Sequence, residues 1–548
     1  MENSVQPVKE QELFGHPKGL FYLFFAELWE RFSFYGMRAL LTLYMVDVVF
    51  EALSTRDFAA AAVYASYGSL VYASTVIGGR ISDKILGMRK SIFLGGILMA
   101  IGHFVLAIEH NMAFFVALAL IVVGNGFFKP NISTFVGSLY KDGDARKDSG
   151  FVIFYMGINI GGFVAPLLCG WLGKTYGWHY GFGLAGIGML IGLIVFWSGI
   201  KKNVFGDRGL PPSEGIFDKT IAGVKQGIMV PVLAIMAVPA IAYLLSAYKN
   251  LGEEKGTFLG DNNIVNILFY VIAAGIAAFL IKVLMDATSD ERKKLIVAIL
   301  ITFFMTLFWG FHELSGSVIT LFADRNVNLS IIDASQTNAL NSMFIIILSI
   351  PISMLFAYLT KKNLNPRTPY KFGLGLAFAG ISFLILSLSA GSADAEGMVP
   401  FSYLLIMYFL LSIGELFMSP VGLSKITDLS PKRIVAFMMG IWFLASAFAF
   451  QIVGFISTQL AIESDDKNLT KTKNYVLPLI DKLIRKCELS GDVEQETRDM
   501  LEYDLVVAMQ HYETKKHHKK RFKFSTYFAW WVYEKIKQLE PNIDEKFK

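Results

Sequence analysis

Two carboxylates and two guanidiniums stand within one otherwise apolar stretch, FFAELWERFSFYGMRALLTLYM. At 100° per residue, with Glu27 at 0°, Glu30 falls at about −60°, Arg31 at about 40°, Phe34 at about −20°, Tyr35 at about 80° and Arg38 at about 20°. All four charges therefore share one face of a helix. In the middle of a bilayer each would cost at least about 2.5–3.5 kcal/mol on an insertion scale, so they must pair and face a wet cavity. The chemistry such a stripe offers is ion pairing, proton binding and the gripping of a charged solute. The plain structural reading is a static ion cluster that locks helices together, but four charges on one stripe exceed what such glue needs.

Further polar residues stand alone in apolar surroundings. Lys129 lies in VVGNGFFKPNISTF with Asn125 one turn earlier on the same face, and Asn159 lies in FYMGINIGG. His312 and Glu313 lie in LFWGFHELSGSVITLF, Asn341 in TNALNSMFII and Glu415 in LLSIGELFMSPVGLS. An intramembrane Asn is often helix–helix glue, which fits Asn125, Asn159 and Asn341 as well as a ligand role does. A lone Lys or Glu is harder to explain by packing alone. His312 is equally compatible with a proton site, since histidine ordinarily titrates near neutrality, and with a satisfied packing residue. The loop GGRISDKILGMRK sets Gly79, Asp83, Lys84, Gly87, Arg89 and Lys90 at the spacing G-x-x-x-D-K-x-x-G-x-R-K. Its glycines permit a tight turn and close helix approach, and its acid and bases fit a latch between helices, against the plainer reading of a basic loop.

The elements that carry these residues follow from composition. Of 548 residues 54% are hydrophobic and only 17% charged, against about 25% charged in soluble domains. Mean hydropathy is +0.50. A soluble, secreted or nucleic-acid-binding protein is excluded. Segments of about 20 mainly apolar residues predict thirteen spans: 18–50, 58–82, 88–108, 112–140, 150–173, 178–200, 219–248, 262–286, 292–323, 334–360, 370–391, 399–427 and 431–462. Basic residues cluster in alternate loops, at Lys84/Arg89/Lys90, Arg146/Lys147, Lys201/Lys202/Arg208, Arg292/Lys293/Lys294, Lys361/Lys362/Arg367 and Lys432/Arg433. The rule that such loops stay inside predicts a cytoplasmic N-terminus. That polar N-terminus lacks the apolar core of a signal peptide, so the first span is expected to be retained. Cys169 and Cys487 form no disulfide framework or metal spacing. Residues 463–548 are polar, and their longest uncharged run, FSTYFAWWVY, is half a span. The basic KKHHKKRFKF stretch there suits an anionic membrane surface or a solvated helix face equally.

These motifs carry a resemblance. GGRISDKILGMRK resembles the loop motif of the major facilitator superfamily, and ELWERFSFYGM resembles the E-x-x-E-R-F-x-Y-Y motif of its proton-dependent oligopeptide transporter family. GNGFFKPNISTFVGSLY, FYMGINIGG and IGELFMSPVGL resemble further signatures of that family, in order along residues 15–462. The resemblance implies an all-α polytopic membrane protein. It would comprise a cytoplasmic segment 1–17, a six-helix half 18–205, two extra helices in 206–290, a second half 291–462 with five spans found, and the tail 463–548 of unknown role. The twelfth core helix of the family is not evident in the sequence.

The resemblance also implies roles. A di- or tripeptide is zwitterionic whatever its side chains, so a promiscuous site grips the termini. Arg31, Arg38 and Lys129 would attract the carboxylate, Arg being suited to bidentate contact. Glu415 would attract the amino terminus, with Asn159 and Asn341 hydrogen-bonding terminus and backbone. Tyr35, Tyr72, Trp309 and Trp442 would line the pocket. Glu27, Glu30, Arg31 and Glu313 would couple protons, Lys129 and Glu415 would pair as a gate, and Asp83 and Arg89 would form the latch. The implied activity is proton-coupled import of di- and tripeptides by alternating access, by a monomer, in a bacterial inner membrane, with the proton as coupling ion and no cofactor, metal or nucleic-acid partner. A same-fold carrier of another anion or peptide-like drug, or a non-transporting sensor, are the alternatives. No nucleophile–base–acid spacing, Walker-type loop or metal-ligand cluster suggests an enzyme. The sequence departs from the family pattern at Phe34, where a tyrosine is usual, at His312 and Leu314 flanking Glu313, and at the missing last span.

Overall fold

The computed structural model describes residues 12–461, apart from 52, 54, 142, 145, 214, 222–223, 247–263, 395–396 and 432–434. The chain divides into two units, Met1–Ala461 and Ile462–Lys548. The polar tail expected over 463–548 lies outside the described residues, as does nearly all of the N-terminal segment.

The described chain is almost wholly helical, as a bilayer demands of backbone that has no water to bond to. Its first six helices are α1 (Lys18–Tyr44), α2 (Arg56–Ile81), α3 (Gly87–Leu106), α4 (Asn111–Ser138), α5 (Arg146–Tyr176) and α6 (Trp178–Lys201). Two helices follow, α7 (Gln226–Ser246) and α8 (Ile264–Asp286). The remainder are α9 (Ser289–His312), α10 (Val318–Asn326), α11 (Ala339–Lys361), α12 (Thr368–Leu388), α13 (Phe401–Leu429) and α14 (Val435–Gln459).

Twelve continuous helical stretches are long and apolar enough to cross a membrane. One of them, Arg56–Leu106, has 51 residues, more than twice the roughly 20 that one crossing needs. It reverses at Gly87, whose φ of +71° favours glycine and whose missing Cβ lets the backbone of Leu210 and Pro211 approach. This stretch therefore crosses twice, giving thirteen crossings among the described residues.

Small residues set the packing. Gly78 of α2 lies against the Gly126 carbonyl of α4, and Gly95 of α3 faces Gly124 of α4, the close approach that membrane helices use in place of a hydrophobic driving force. Pro130 cannot donate to the Gly126 carbonyl one turn back, which loosens α4 beside Lys129. The six-helix group is joined to the later helices chiefly where α2 lies along α14, α4 along α7 and α5 along α11. Gly68 receives Phe450 there, and Ala65 meets Gly454.

Candidate functional site

The face expected for α1 is formed. Glu27, Glu30, Arg31 and Arg38 are all buried, and each charge finds a partner. Arg31 binds Glu30 through two bonds, Nε to Oε2 at 2.5 Å and an Nη to Oε1 at 2.7 Å. It also stands 3.3 Å from Glu27, one turn away. Phe34 has no hydroxyl, yet its ring faces the Arg31 guanidinium at 5.2 Å and supplies a π surface instead.

Two turns further on, Arg38 turns to the other half. It lies 2.6 Å from Glu313 and donates to the Tyr64 hydroxyl at 2.9 Å and the Ser315 hydroxyl at 3.1 Å. This contact depends on a break. α9 stops at His312, tightens into a 3-10 turn over Glu313–Gly316, and resumes as α10. Irregular backbone at membrane depth is tolerated where protein covers it. Here the Gly316 carbonyl accepts from the Thr42 hydroxyl at 2.6 Å, and only a residue without Cβ fits against Tyr64 and Arg38.

Lys129 is placed differently from the arginines. Its ammonium sits 3.9 Å from the centre of the Tyr72 ring, and among the described residues no carboxylate is within ion-pair range of it. The expected Lys129–Glu415 pair is therefore not formed in this conformation. Asn125 is fully buried and its amide atoms have no partner among the described residues.

Glu415 marks the opposite pole. It accepts from the Asn341 amide at 3.1 Å and the Tyr155 hydroxyl at 3.5 Å, and His312 Nε2 lies 3.2 Å from Oε2. Asn341 also donates to Ser412, while Asn159 donates to the Tyr155 carbonyl one turn back, leaving its side-chain oxygen free of the helix. Trp309 packs edge-on to His312, and Tyr72 stacks on Phe450. Trp442 lies against Gly422, where a Cβ would strike its ring. Tyr35 leans on Arg38.

The loop motif works otherwise than expected. Asp83 is exposed and makes no pair with Arg89. Arg89 instead donates to the carbonyls of Gly206 and Arg208, the latter at 2.7 Å, and its backbone N–H bonds Gly209. The motif arginine thus pins the segment after α6, its N–H donors taken up by carbonyls rather than by a carboxylate.

Several residues that contact the candidate site carry no signal of it in the sequence. Tyr64, Tyr155, Ser315 and Ser412 carry only hydroxyls, which mark little in an apolar helix. Asp57 and Arg325 fall just outside the expected spans 58–82 and 292–323, yet they form a bidentate pair at 2.5 and 2.7 Å that joins α2 to α10. Lys174 and Asp324 lie 3.8 Å apart at the same end, and Gln336 donates to the Leu167 carbonyl. The Asp57–Arg325 and Lys174–Asp324 pairs and the Gln336–Leu167 bond link the halves at this end, where α1 finishes, and the Arg38–Glu313 and Tyr155–Glu415 contacts link them near mid-level.

The POT family profile matches residues 89–474. This chain belongs to the POT family. It is 38% identical over 456 residues to an uncharacterized transporter of Bacillus subtilis (strain 168), covering 82% of this chain and 89% of the relative. It is also 38% identical over 462 residues to a di-/tripeptide transporter of Lactococcus lactis subsp. cremoris, covering 80% and 88%. A crystal structure of a peptide transporter POT in complex with sulfate superposes with a TM-score of 0.67 at 38% identity, over 82% of this chain and 90% of that one. A POT family transporter in complex with a thioalcohol-conjugated peptide gives 0.69 at 30% identity, over 85% and 92%. The POT member described here is an all-α, multi-pass membrane protein of a transporter family.

Proposed function

We propose that this protein is a proton-coupled symporter that imports di- and tripeptides by alternating access, with the proton as its coupling ion and no cofactor. The observation that carries the reading is the split of charge across the site. Lys129 on α4 is a cation resting on an aromatic ring, while Glu415 on α13 is a carboxylate held by neutral donors and one histidine. A peptide's carboxylate suits the first and its ammonium the second, and neither pole consults the side chains. The arginines are less available than the sequence suggests, since Arg31 and Arg38 already hold glutamates. Relatives named as di-/tripeptide transporters support the substrate class.

Coupling follows from charge compensation. A buried carboxylate that loses its cation is left uncompensated, and binding a proton removes that charge. If the peptide carboxylate draws Arg31 toward it, Glu30 or Glu27 takes up a proton. If Arg38 is drawn, Glu313 does so and frees the bridge between the halves. The halves then rock about the central site. With the basic loops inside, the N-terminus is cytoplasmic and the linked end of the bundle faces outward, so this conformation offers its site to the cytoplasm. One chain contains the whole site, so a monomer suffices, in a bacterial inner membrane.

Uptake of labelled dialanine into proteoliposomes tests the reading. Accumulation above the external concentration under an inward proton gradient, blocked by other dipeptides but not by free alanine, is expected. Binding without flux would overturn it.

A further inference from the structure

His312 is a buried, ionisable side chain of the site to which the grip on the peptide termini assigns no task. Its ring is 5% exposed and fixed between Trp309, edge-on at 4.8 Å, and Phe308 at 5.9 Å. Nε2 stands 3.2 Å from Glu415 Oε2, close enough for an ion pair, and neither ring nitrogen makes a hydrogen bond among the described residues. The break after α9 gives adjacent residues separate targets: Glu313 reaches Arg38 in the first half, and His312 reaches Glu415 in the second. We propose that His312 is a second proton-binding group, a positioning residue that holds Glu415 as an imidazolium until the ammonium of a substrate replaces it. The inference rests on the peptide reading above and deepens it.

The surroundings leave His312 this role. Around Glu415, Asn341 on α11 is neutral and Tyr155 on α5 is a phenol; Tyr408 lies two turns away on α13. The cation Arg38 on α1 is held by Glu313, the acid beside His312 in the turn. Tyr403 and Lys425 stand toward the two ends of α13, Tyr358 and Lys361 at the far end of α11, Tyr370 and Lys371 in the first turn of α12, and α14 carries no ionisable side chain. Among the described residues that touch Glu415, only His312 can become a cation. An imidazolium and an ammonium on one carboxylate repel each other strongly where water is scarce. Ammonium binding therefore drives the proton from the imidazole to water, and by linkage acid weakens ammonium binding.

Titration calorimetry on the purified full-length protein reads this directly, in two buffers of different ionisation enthalpy at pH 6. Dialanine should release up to one more proton per molecule bound than N-acetyl-dialanine, which has no ammonium. Its affinity should fall by up to about tenfold per pH unit on acidification relative to the acetylated peptide. His312→Gln should abolish both differences while dialanine still binds. Equal proton counts for the two peptides in the wild type would overturn the proposal, and so would an unchanged difference in a folded His312→Gln. If that variant fails to fold, the wild-type comparison decides alone. If dialanine does not bind at all, the peptide reading falls, and this inference with it.

Discussion

The two charge groups on α1 differ in what they hold together. Arg31 closes with Glu27 and Glu30 on its own helix, so rocking of the halves leaves that cluster whole. Arg38, two turns on, closes with Glu313 and Ser315 in the other half, so the same motion must break or rebuild it. One stripe of sequence thus supplies a self-contained charge store and a bridge. In the proposed cycle the first would respond to substrate and protons in place, and the second would convert that response into motion.

Breaking the store should do the most damage. Arg31→Ala leaves two buried carboxylates without a cation and should cost about 3–5 kcal/mol, seen as lost expression or a large drop in the unfolding midpoint. Glu30→Gln removes charge without stranding any. It should fold, keep counterflow exchange and lose proton-driven accumulation; unchanged uphill uptake would remove Glu30 from coupling.

Breaking the bridge should separate function from stability more cleanly. In Glu313→Gln, Arg38 keeps Tyr64 and Ser315, so thermal stability should change by no more than about 1–3 kcal/mol. Uphill uptake should fall by at least about tenfold while exchange persists. A variant that accumulates dialanine normally would show that the cross-half pair is merely structural.

The outer pair sharpens the contrast from a distance. Asp57→Asn removes the charge partner of Arg325 without touching the site, and should cost closure of that end about 1–3 kcal/mol. Cysteines placed near Thr55 should label faster from outside, with affinity for dialanine little changed. The smallest effect belongs to the exposed loop at the other end. Hydrogen bonds from Arg146 hold the Asp144 carboxyl down at about 2. A depressed carboxylate contributes its stability above its ordinary range and loses it only as pH falls through the lowered value. Between pH 4 and 8 this bridge should be constant, and Asp144→Asn should leave the pH profile of uptake unaltered.

How much of this was legible in the sequence depends on range. The helices were legible, because burial in lipid writes itself into long apolar runs, and so was the shared face of Glu27, Glu30, Arg31 and Arg38, because helical periodicity is local. The partners were not. Nothing near Glu313 says that Arg38, some 275 residues away, will meet it, and nothing in GGRISDKILGMRK says that Arg89 will choose the carbonyls of Gly206 and Arg208 over Asp83. Asp57 and Arg325 each sit near a helix end, where a charge is ordinarily solvated, so their pairing had no signal in composition. His312 was ambiguous for the same reason: only the fold brings Glu415 to it.

The central claim is that two separate poles, Lys129 and Glu415, grip the two ends of a peptide. Competition for dialanine uptake tests it most directly, using dialanine amide, which lacks the carboxylate, and N-acetyl-dialanine, which lacks the ammonium. The wild type should discriminate against both. Lys129→Ala should lose its discrimination against the amide alone, and Glu415→Gln against the acetylated peptide alone. Variants that lose both preferences together, or neither, would contradict the account.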